Sequence, residues 1–183
     1  NWNKESSLDG TGSIDFGSSE GIIWLGSGTT KAGDIRYLTL NNKIYGSNGI
    51  TLVGRQRSYQ PIIFLPYARF SGPLHIQGCR LWLSSLADVP ANVPIYVDAT
   101  PSYNSGQLFL FMEGTFPNYI YLTGIGLGTD SDCLGALVVA ANMRLTGDVH
   151  ISDDTTIGIT GAGKTAYFDS PISGKGNASL IAI

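Results

Sequence analysis

Short apolar runs separated by glycine, proline, asparagine, aspartate and serine recur along the whole chain. Within many of these runs apolar and polar residues alternate, which is typical of β-strands, and the residues between the runs favour tight turns. The sequence contains no convincing amphipathic helix. The pattern therefore predicts an all-β protein with many short strands.

From about residue 60 the apolar runs become longer and more aromatic. The strands predicted in this part are Ile62–Leu65, Leu74–Ile76, Arg80–Leu83, Val93–Asp98, Gln107–Glu113 and Tyr119–Thr123. Both faces of the run 107–113 are apolar, which favours a central position in a sandwich or at an interface. In the run 119–123, Ile120 and Leu122 face one way and the two tyrosines face the other, so one side is expected to be partly wet.

The first part of the chain has thinner strands. Residues 1–53 carry short apolar runs between glycine turns, and such strands bury little surface when they come from one chain. The Asn48-Gly49 pair predicts a hairpin between residues 43–45 and 50–53. We therefore expect a thin β stem at 1–55, in which several copies intertwine, and a β-sandwich-like head at 56–183.

Residues 134–145 fit two kinds of structure. Asp132 could cap a helix that Gly147 ends, with apolar residues at helical spacing between them. As a strand, the same segment places alternate apolar residues on one side, and that alternation continues to residue 151. The strand is the favoured interpretation, and the helix stays open as the alternative.

Composition limits the classes of function. Charged residues make up 14% of the chain, against about 25% in ordinary soluble domains, which makes a catalyst with clustered ionisable groups less expected. The net charge is −3 and the 11 basic residues are scattered, so nucleic-acid binding is not expected. No apolar stretch is long enough to span a membrane as a helix, so membrane insertion is not expected either.

Two segments match catalytic or nucleotide-binding motifs by their letters alone. Gly158–Thr165 matches the P-loop pattern, but the residues after it cannot form the helix whose N-terminus would hold phosphate. Gly17–Gly21 matches a nucleophile elbow, but a strand-like run follows where a helix is needed. Both are interpreted as glycine-rich turns, and no cofactor is predicted.

Acidic residues and cysteines leave further alternatives. Glu113 at a strand end, with Asp98 as its partner, could supply the two carboxylates of a glycan-cleaving enzyme, although a solvated strand-end acid is favoured. Acidic turns at 130–132 and 153–154 do not complete a calcium loop, so no metal site is predicted. Whether Cys79 and Cys133 form a disulfide stays open.

Tyrosine and asparagine residues in the middle third are the candidate ligand site. Sugars stack their apolar faces on aromatic rings, and asparagine, aspartate and serine fix their hydroxyls. The residues predicted to bind such a ligand are Tyr96, Tyr103, Asn104, Asn118, Tyr119 and Tyr121. The alternative, that most of these rings pack within the sheet, stays open.

Three glycine-bounded segments, 21–26, 42–50 and 146–151, resemble the shaft of phage tail fibres and similar trimeric receptor-binding fibres. The resemblance implies an intertwined homotrimer on a virion tail or cell surface. It also implies a β-rich head that contacts a host receptor, either a lipopolysaccharide glycan or an outer-membrane protein. A pilus-tip or other cell-surface adhesin, a viral capsid or knob protein, and a tailspike-like glycan depolymerase remain as alternatives.

Overall fold

The computed structural model describes residues 4–26, 36–54, 62–99, 105–126 and 135–182. Within these ranges all regular structure is β-strand, and the 20 strands are numbered β1 to β20 in chain order. The prediction of an all-β protein is therefore confirmed. No helix of the described residues is long and apolar enough to cross a membrane.

The chain winds as a parallel β-solenoid. All strand pairs are parallel, and each strand pairs with the strand that occupies the same side of the next coil. The coils differ in length. Ile62 pairs with Arg80 after a short coil, whereas the coil that separates Lys4 from its partner Arg36 is much longer.

Each coil contributes strands to two long sheets and one shorter side. The eight-stranded sheet consists, in spatial order, of β1 (Lys4–Leu8), β4 (Arg36–Leu40), β7 (Ile62–Phe64), β9 (Arg80–Leu83), β11 (Gln107–Leu110), β14 (Leu137–Val139), β17 (Thr155–Ile159) and β20 (Ala178–Ala182). The seven-stranded sheet consists of β3 (Gly21–Leu25), β6 (Ile50–Gly54), β8 (Leu74–Gln77), β10 (Ile95–Asp98), β13 (Ile120–Thr123), β16 (Val149–Ile151) and β19 (Ile172–Gly174). The third side holds β2 (Ser13–Asp15) with β5 (Lys43–Tyr45), and β12 (Gly114–Phe116) with β15 (Met143–Leu145) and β18 (Ala166–Phe168).

The core lies inside the coils. Alternate residues point inward, and pairing in register stacks them into apolar rows, such as Leu81, Leu108, Leu137 and Ile157 in the eight-stranded sheet. Each such side chain contributes roughly 1.5–3 kcal/mol when it leaves water. The fully buried β11 lies in the middle of a parallel sheet, where both faces of a strand are commonly covered.

The turn at Asn48-Gly49 is a solenoid corner and not the predicted hairpin. β5 pairs with β2, and β6 pairs with β3 and β8, so the two strands beside the turn do not pair with each other. Gly49 has a φ of +85°, and a Cβ there would collide with the carbonyl oxygen of Pro73 in the next coil. Gly72, with φ +82°, lies against Gly49 at the same corner.

The predicted stem belongs to the same solenoid as the predicted head. Ile44, Ile50 and Leu52 are buried by neighbouring coils of their own chain, whereas Leu8 of the first coil, which pairs with the buried Leu40, is 48% exposed. β4 pairs with β7 and β6 pairs with β8, so both long sheets continue past residue 55. The same coiling replaces the sandwich-like arrangement expected after residue 56.

Residues 137–145 form two strands with a corner between them. β14 and β15 lie on different sides of the same coil, and Leu137, Val139, Met143 and Leu145 are all buried. The preference for strand over helix in this segment is confirmed. The possible cap at Asp132 lies outside the described residues.

Candidate ligand-binding face

On the outer face of the seven-stranded sheet, the six strands β6 to β19 each carry one polar or aromatic side chain in a single row, and β3 places the exposed, apolar Ile22 at the same position. Pairing in register aligns, from β6 to β19, Thr51, His75, Tyr96, Tyr121, His150 and Ser173. The four rings among them, His75, Tyr96, Tyr121 and His150, are called the aromatic row below. Neighbouring strands in a sheet lie about 4.8 Å apart, so the register alone brings these rings within stacking distance.

The rings of the aromatic row are stacked on one another. The centroids of His75 and Tyr96 are 4.8 Å apart with planes inclined by 11°, and those of Tyr96 and Tyr121 are 4.6 Å apart at 12°. Tyr121 and His150 lie 5.9 Å apart at 51°, and His150 Nδ1 lies 3.5 Å from Ser173 Oγ. Such aromatic pairs contribute about 0.5–1.5 kcal/mol each beyond the area they bury.

Stacking decides how the central rings can meet a ligand. Because His75 covers one face of Tyr96 and Tyr121 covers the other, a sugar cannot lie flat on Tyr96. Tyr96 is nevertheless 37% exposed, so its outer edge and hydroxyl reach solvent. The row therefore offers hydrogen-bonding edges rather than ring faces.

Free ring faces lie on both sides of the aromatic row. Tyr119 precedes β13 on the same outer surface and is 44% exposed, and Trp24 on β3 is 67% exposed. Neither has a ring partner among the described residues. Both can take the apolar face of a sugar ring.

The charge of this face is mainly negative. Its strands and their flanking residues, 20–25, 48–54, 72–78, 93–99, 117–124, 147–152 and 170–175, contain one basic residue, the exposed Lys175 directly after β19. They contain the carboxylates of Glu20, Asp98 and Asp148, of which Glu20 accepts a hydrogen bond from Thr51 Oγ1. The face is therefore rich in hydrogen-bond acceptors and carries a lysine only at the end of its last strand.

Three of the predicted site residues lie on one face in the structure, and a fourth is buried and cannot reach a ligand there. Tyr96, Tyr119 and Tyr121 share the outer face of the seven-stranded sheet. Asn118 does not belong to the site: it is buried, and its Nδ2 donates to the carbonyl oxygens of Pro90 (2.8 Å) and Val93 (2.9 Å) in the preceding coil. These two bonds stabilise a corner. The remaining two, Tyr103 and Asn104, lie outside the described residues.

The two histidines of the aromatic row belong to the face and are not among the residues predicted to bind a ligand. His75, Tyr96, Tyr121 and His150 follow one another at unequal intervals along the chain, which lengthen from each coil to the next. Because these intervals differ, no repeat in the sequence shows that the four rings lie in one row. From the sequence, only the outward position of each ring within its own alternating run can be predicted.

Glu113 and Asp98 do not form a carboxylate pair. Asp98 ends β10 in the seven-stranded sheet near the start of β11, where its carbonyl oxygen accepts from the Gly106 amide, whereas Glu113 lies beyond the other end of β11. The strand β11 alone spans about 13 Å, beyond the roughly 5–10 Å that glycosidic carboxylates need. Glu113 instead lies 3.6 Å from Lys164 Nζ and 3.5 Å from Asn142 Nδ2.

The P-loop-like segment is a turn between strands, as interpreted from the sequence. β17 ends at Ile159, a turn closed by the Lys164 amide donating to the Gly161 carbonyl follows, and β18 begins at Ala166. The elbow-like segment likewise leads directly into β3. Neither supplies the helix that its motif requires.

A second set of rings lies on the outer face of the eight-stranded sheet and was not predicted as a cluster. Phe64, Trp82 and Phe109 form what we call the Trp82 row, with centroid distances of 5.9 Å and 4.4 Å. Phe111, 54% exposed, meets Trp82 edge-on at 5.6 Å. The guanidinium of Arg80 lies 5.2 Å from the Phe109 ring centroid.

Polar side chains beside the Trp82 row, at the starts of β9 and β11, are buried and hydrogen-bonded. Arg80 Nε donates to Gln107 Oε1, and Gln107 Nε2 donates to the carbonyl oxygen of Gly135 at 2.7 Å. Gln107 is fully buried. This bonding belongs to the fold, because no surface of Gln107 is open to a ligand.

Cys79 is a free thiol in the core. Burial raises the pKa of this thiol to about 12, so it stays protonated and unreactive at neutral pH. Cys133 lies outside the described residues. Among the residues that the structure describes, no group of three or more histidine, cysteine, aspartate or glutamate side chains could hold a metal ion.

No family model, curated protein or solved structure matches this chain.

Proposed function

We propose that this protein is a receptor-binding protein that holds a surface glycan on the outer face of its seven-stranded sheet. The tip of a phage tail fibre, on a virion tail, and a cell-surface adhesin would both use such a face. The observation that carries the proposal is the grouping of Tyr96, Tyr119 and Tyr121 on one outer face with the exposed Trp24.

The chemistry of the face suits sugars. Trp24 and Tyr119 offer ring faces for the C–H surface of a pyranose, since tyrosine and tryptophan combine an apolar body with a polar tip. Tyrosine hydroxyls and imidazole nitrogens can donate and accept hydrogen bonds, and Asp148 accepts them. The proposal therefore assigns binding and no covalent step to this face.

The test compares two tyrosines of similar exposure. Tyr119→Ala is expected to weaken binding to cells or immobilised surface polysaccharides by about tenfold, because a stacking ring is lost. Tyr67, 48% exposed and placed on the third side beside the Ala68–Ile44 bridge, is the control, and Tyr67→Ala should bind as the wild type does. Thermal melts of both variants should match the wild type.

Three results would contradict this assignment. Equal losses of binding in Tyr119→Ala and Tyr67→Ala would show that binding is not confined to the seven-stranded sheet. Unchanged binding in Tyr119→Ala and in Trp24→Ala would place the ligand elsewhere. Binding to an outer-membrane protein with no affinity for any glycan would leave a receptor-binding protein of another kind.

The homotrimer expected from the fibre resemblance remains part of the proposal. The middle coils bury their core within one chain, whereas Leu8 in the first coil and Leu180 in the last continue the inward rows and are 48% and 65% exposed. Copies would therefore associate end to end or side by side rather than share the middle coils. Light scattering of the purified protein should give a mass near three times 19.5 kDa. A mass of 19.5 kDa at all concentrations would contradict the trimer and leave the ligand-binding face intact.

A further inference from the structure

We propose that the ligand is an uncharged, linear polysaccharide that lies along the solenoid axis, across the coils, rather than along one strand. This inference rests on the proposed function and adds the class and the orientation of the glycan. It is carried by the spacing, the hydrogen-bonding character and the charge of the row from Thr51 to Ser173.

Spacing favours an extended polymer along the axis. The row presents one side chain per coil, and coils in a sheet advance by about 4.8 Å, which is close to the length of one sugar ring. Along a strand, by contrast, β10 offers only Tyr96 and Asp98 to the outside before the corner. The six strands that carry the row, β6 to β19, give a track of about 24 Å.

The hydrogen-bonding character of the row repeats from coil to coil. Each of its members carries a hydroxyl or an imidazole, and both kinds of group can donate and accept a hydrogen bond. Thr51 is buried and its hydroxyl already donates to Glu20, so the open partners run from His75 to Ser173. A polymer that carries hydroxyls on every unit can therefore meet an equivalent partner at each of these coils. A ligand that is recognised through a single terminal group would contact only one coil of this row.

The charge of the face selects against acidic glycans. The described strands and flanks of the face carry the carboxylates of Glu20, Asp98 and Asp148 and a single lysine, Lys175, after the last strand. Like charges repel within about a Debye length, some 8–10 Å in physiological salt, so a chain of uronates, sulfates or sialates lying on the face would be disfavoured. Neutral sugars keep the hydrogen bonds without this cost.

The first experiment measures binding of the full chain to a panel of neutral and acidic polysaccharides. Neutral linear members should bind, with an affinity that changes by less than about twofold between roughly 50 and 500 mM NaCl. Sulfation of the bound polymer should weaken binding by at least about tenfold. Binding confined to acidic members would overturn this inference and leave the proposed function standing, whereas binding to no member would overturn both.

The second experiment uses oligosaccharides of increasing length cut from the bound polymer. Affinity should rise with each added unit up to roughly five sugars, the length of the track, and then level off. A plateau at two or three sugars would contradict the axial orientation, because it would show a compact site on one or two coils. Binding of branched but not linear oligomers would contradict it as well.

A matched pair of variants ties the length dependence to the row. Tyr96→Phe keeps the ring in the stack and removes the hydroxyl, so affinity for the longest oligomer should fall about three- to tenfold with an unchanged melting temperature. Tyr45 has the same 37% exposure but lies on the third side, and Tyr45→Phe should have no effect. An unchanged affinity in Tyr96→Phe would exclude the row as the track.

Discussion

The two long sheets both stack rings on their outer faces, yet they do so with different side chains. The aromatic row of the seven-stranded sheet is made of tyrosine and histidine, whose edges are polar. The Trp82 row of the eight-stranded sheet is made of phenylalanine and tryptophan, with Tyr37 stacked on Phe64 at 6.2 Å and Phe109 almost fully buried. The same coil-to-coil geometry therefore produces one row with polar edges and one that is mainly apolar, beside which Phe111 is 54% exposed.

The comparison shows that stacking in a solenoid does not by itself mark a binding site. In register, any ring at an outward position lies about 4.8 Å from the residue of the next coil, so neighbouring rings stack whether or not a ligand exists. The two rows differ in the polarity of their ring edges and in the burial of the residues beside them. Around the Trp82 row, the bonded pair Arg80 and Gln107 is buried, whereas Tyr96 stays more than one third exposed.

The largest expected difference between the two faces is in stability. Trp82→Ala removes the ring that contacts Phe64, Phe109 and Phe111, and should lower the free energy of unfolding by about 3 kcal/mol. Tyr96→Ala removes two stacking contacts at a more exposed position and should cost about 1–2 kcal/mol. Urea unfolding followed by circular dichroism measures both, and a larger loss in Tyr96→Ala would reverse the comparison.

A smaller difference is expected from one glutamine on each face. Gln107→Met removes the acceptor of Arg80 Nε and the donor to the Gly135 carbonyl, and should cost about 2 kcal/mol because these buried groups lose their partner. Gln77 is half-buried on the outer face of β8, and Gln77→Met should change stability by less than about 0.5 kcal/mol. Equal effects in the two variants would show that burial does not separate the faces.

Local alternation allowed the strands to be predicted, but their partners could not be. Arg80–Leu83 was predicted with the bounds that β9 has, because its pattern is complete within the strand itself. Which strands lie beside it depends on coil lengths, and these vary so much along the chain that no fixed repeat reveals the solenoid. The hairpin expected at Gly49 failed for the same reason: its turn joins two sides of a coil, and its close contact is with Pro73 of the next one.

The candidate site could be predicted only in part, because exposure depends on neighbouring coils. The outward position of Tyr121 follows from the alternation within its own strand. Asn118, shortly before it in the chain, was predicted as a ligand by its residue type, yet two carbonyl oxygens of the preceding coil bind its amide. Nothing within the segment 117–123 distinguishes these two outcomes.

The smallest expected effect concerns a corner that belongs to neither face. Glu113 is exposed, and its contact with Lys164 at 3.6 Å is a surface ion pair of the kind that contributes little. Glu113→Gln should therefore change the free energy of unfolding by less than about 0.5 kcal/mol. It should also leave polysaccharide binding unchanged, since the residue lies beyond the other end of β11 from Asp98 and away from the aromatic row.

Glu113→Gln also tests the rejected carboxylate pair. If the protein released reducing ends from a polysaccharide and this variant abolished the release, Glu113 would act without Asp98, because β11 keeps the two carboxylates too far apart to share one glycosidic bond. The matched variant is Asp148→Asn, on the binding face itself. It should weaken binding of neutral oligosaccharides by removing an acceptor charge, while Glu113→Gln does not. A loss of binding in Glu113→Gln alone would move the site from the seven-stranded sheet to the corner after β11.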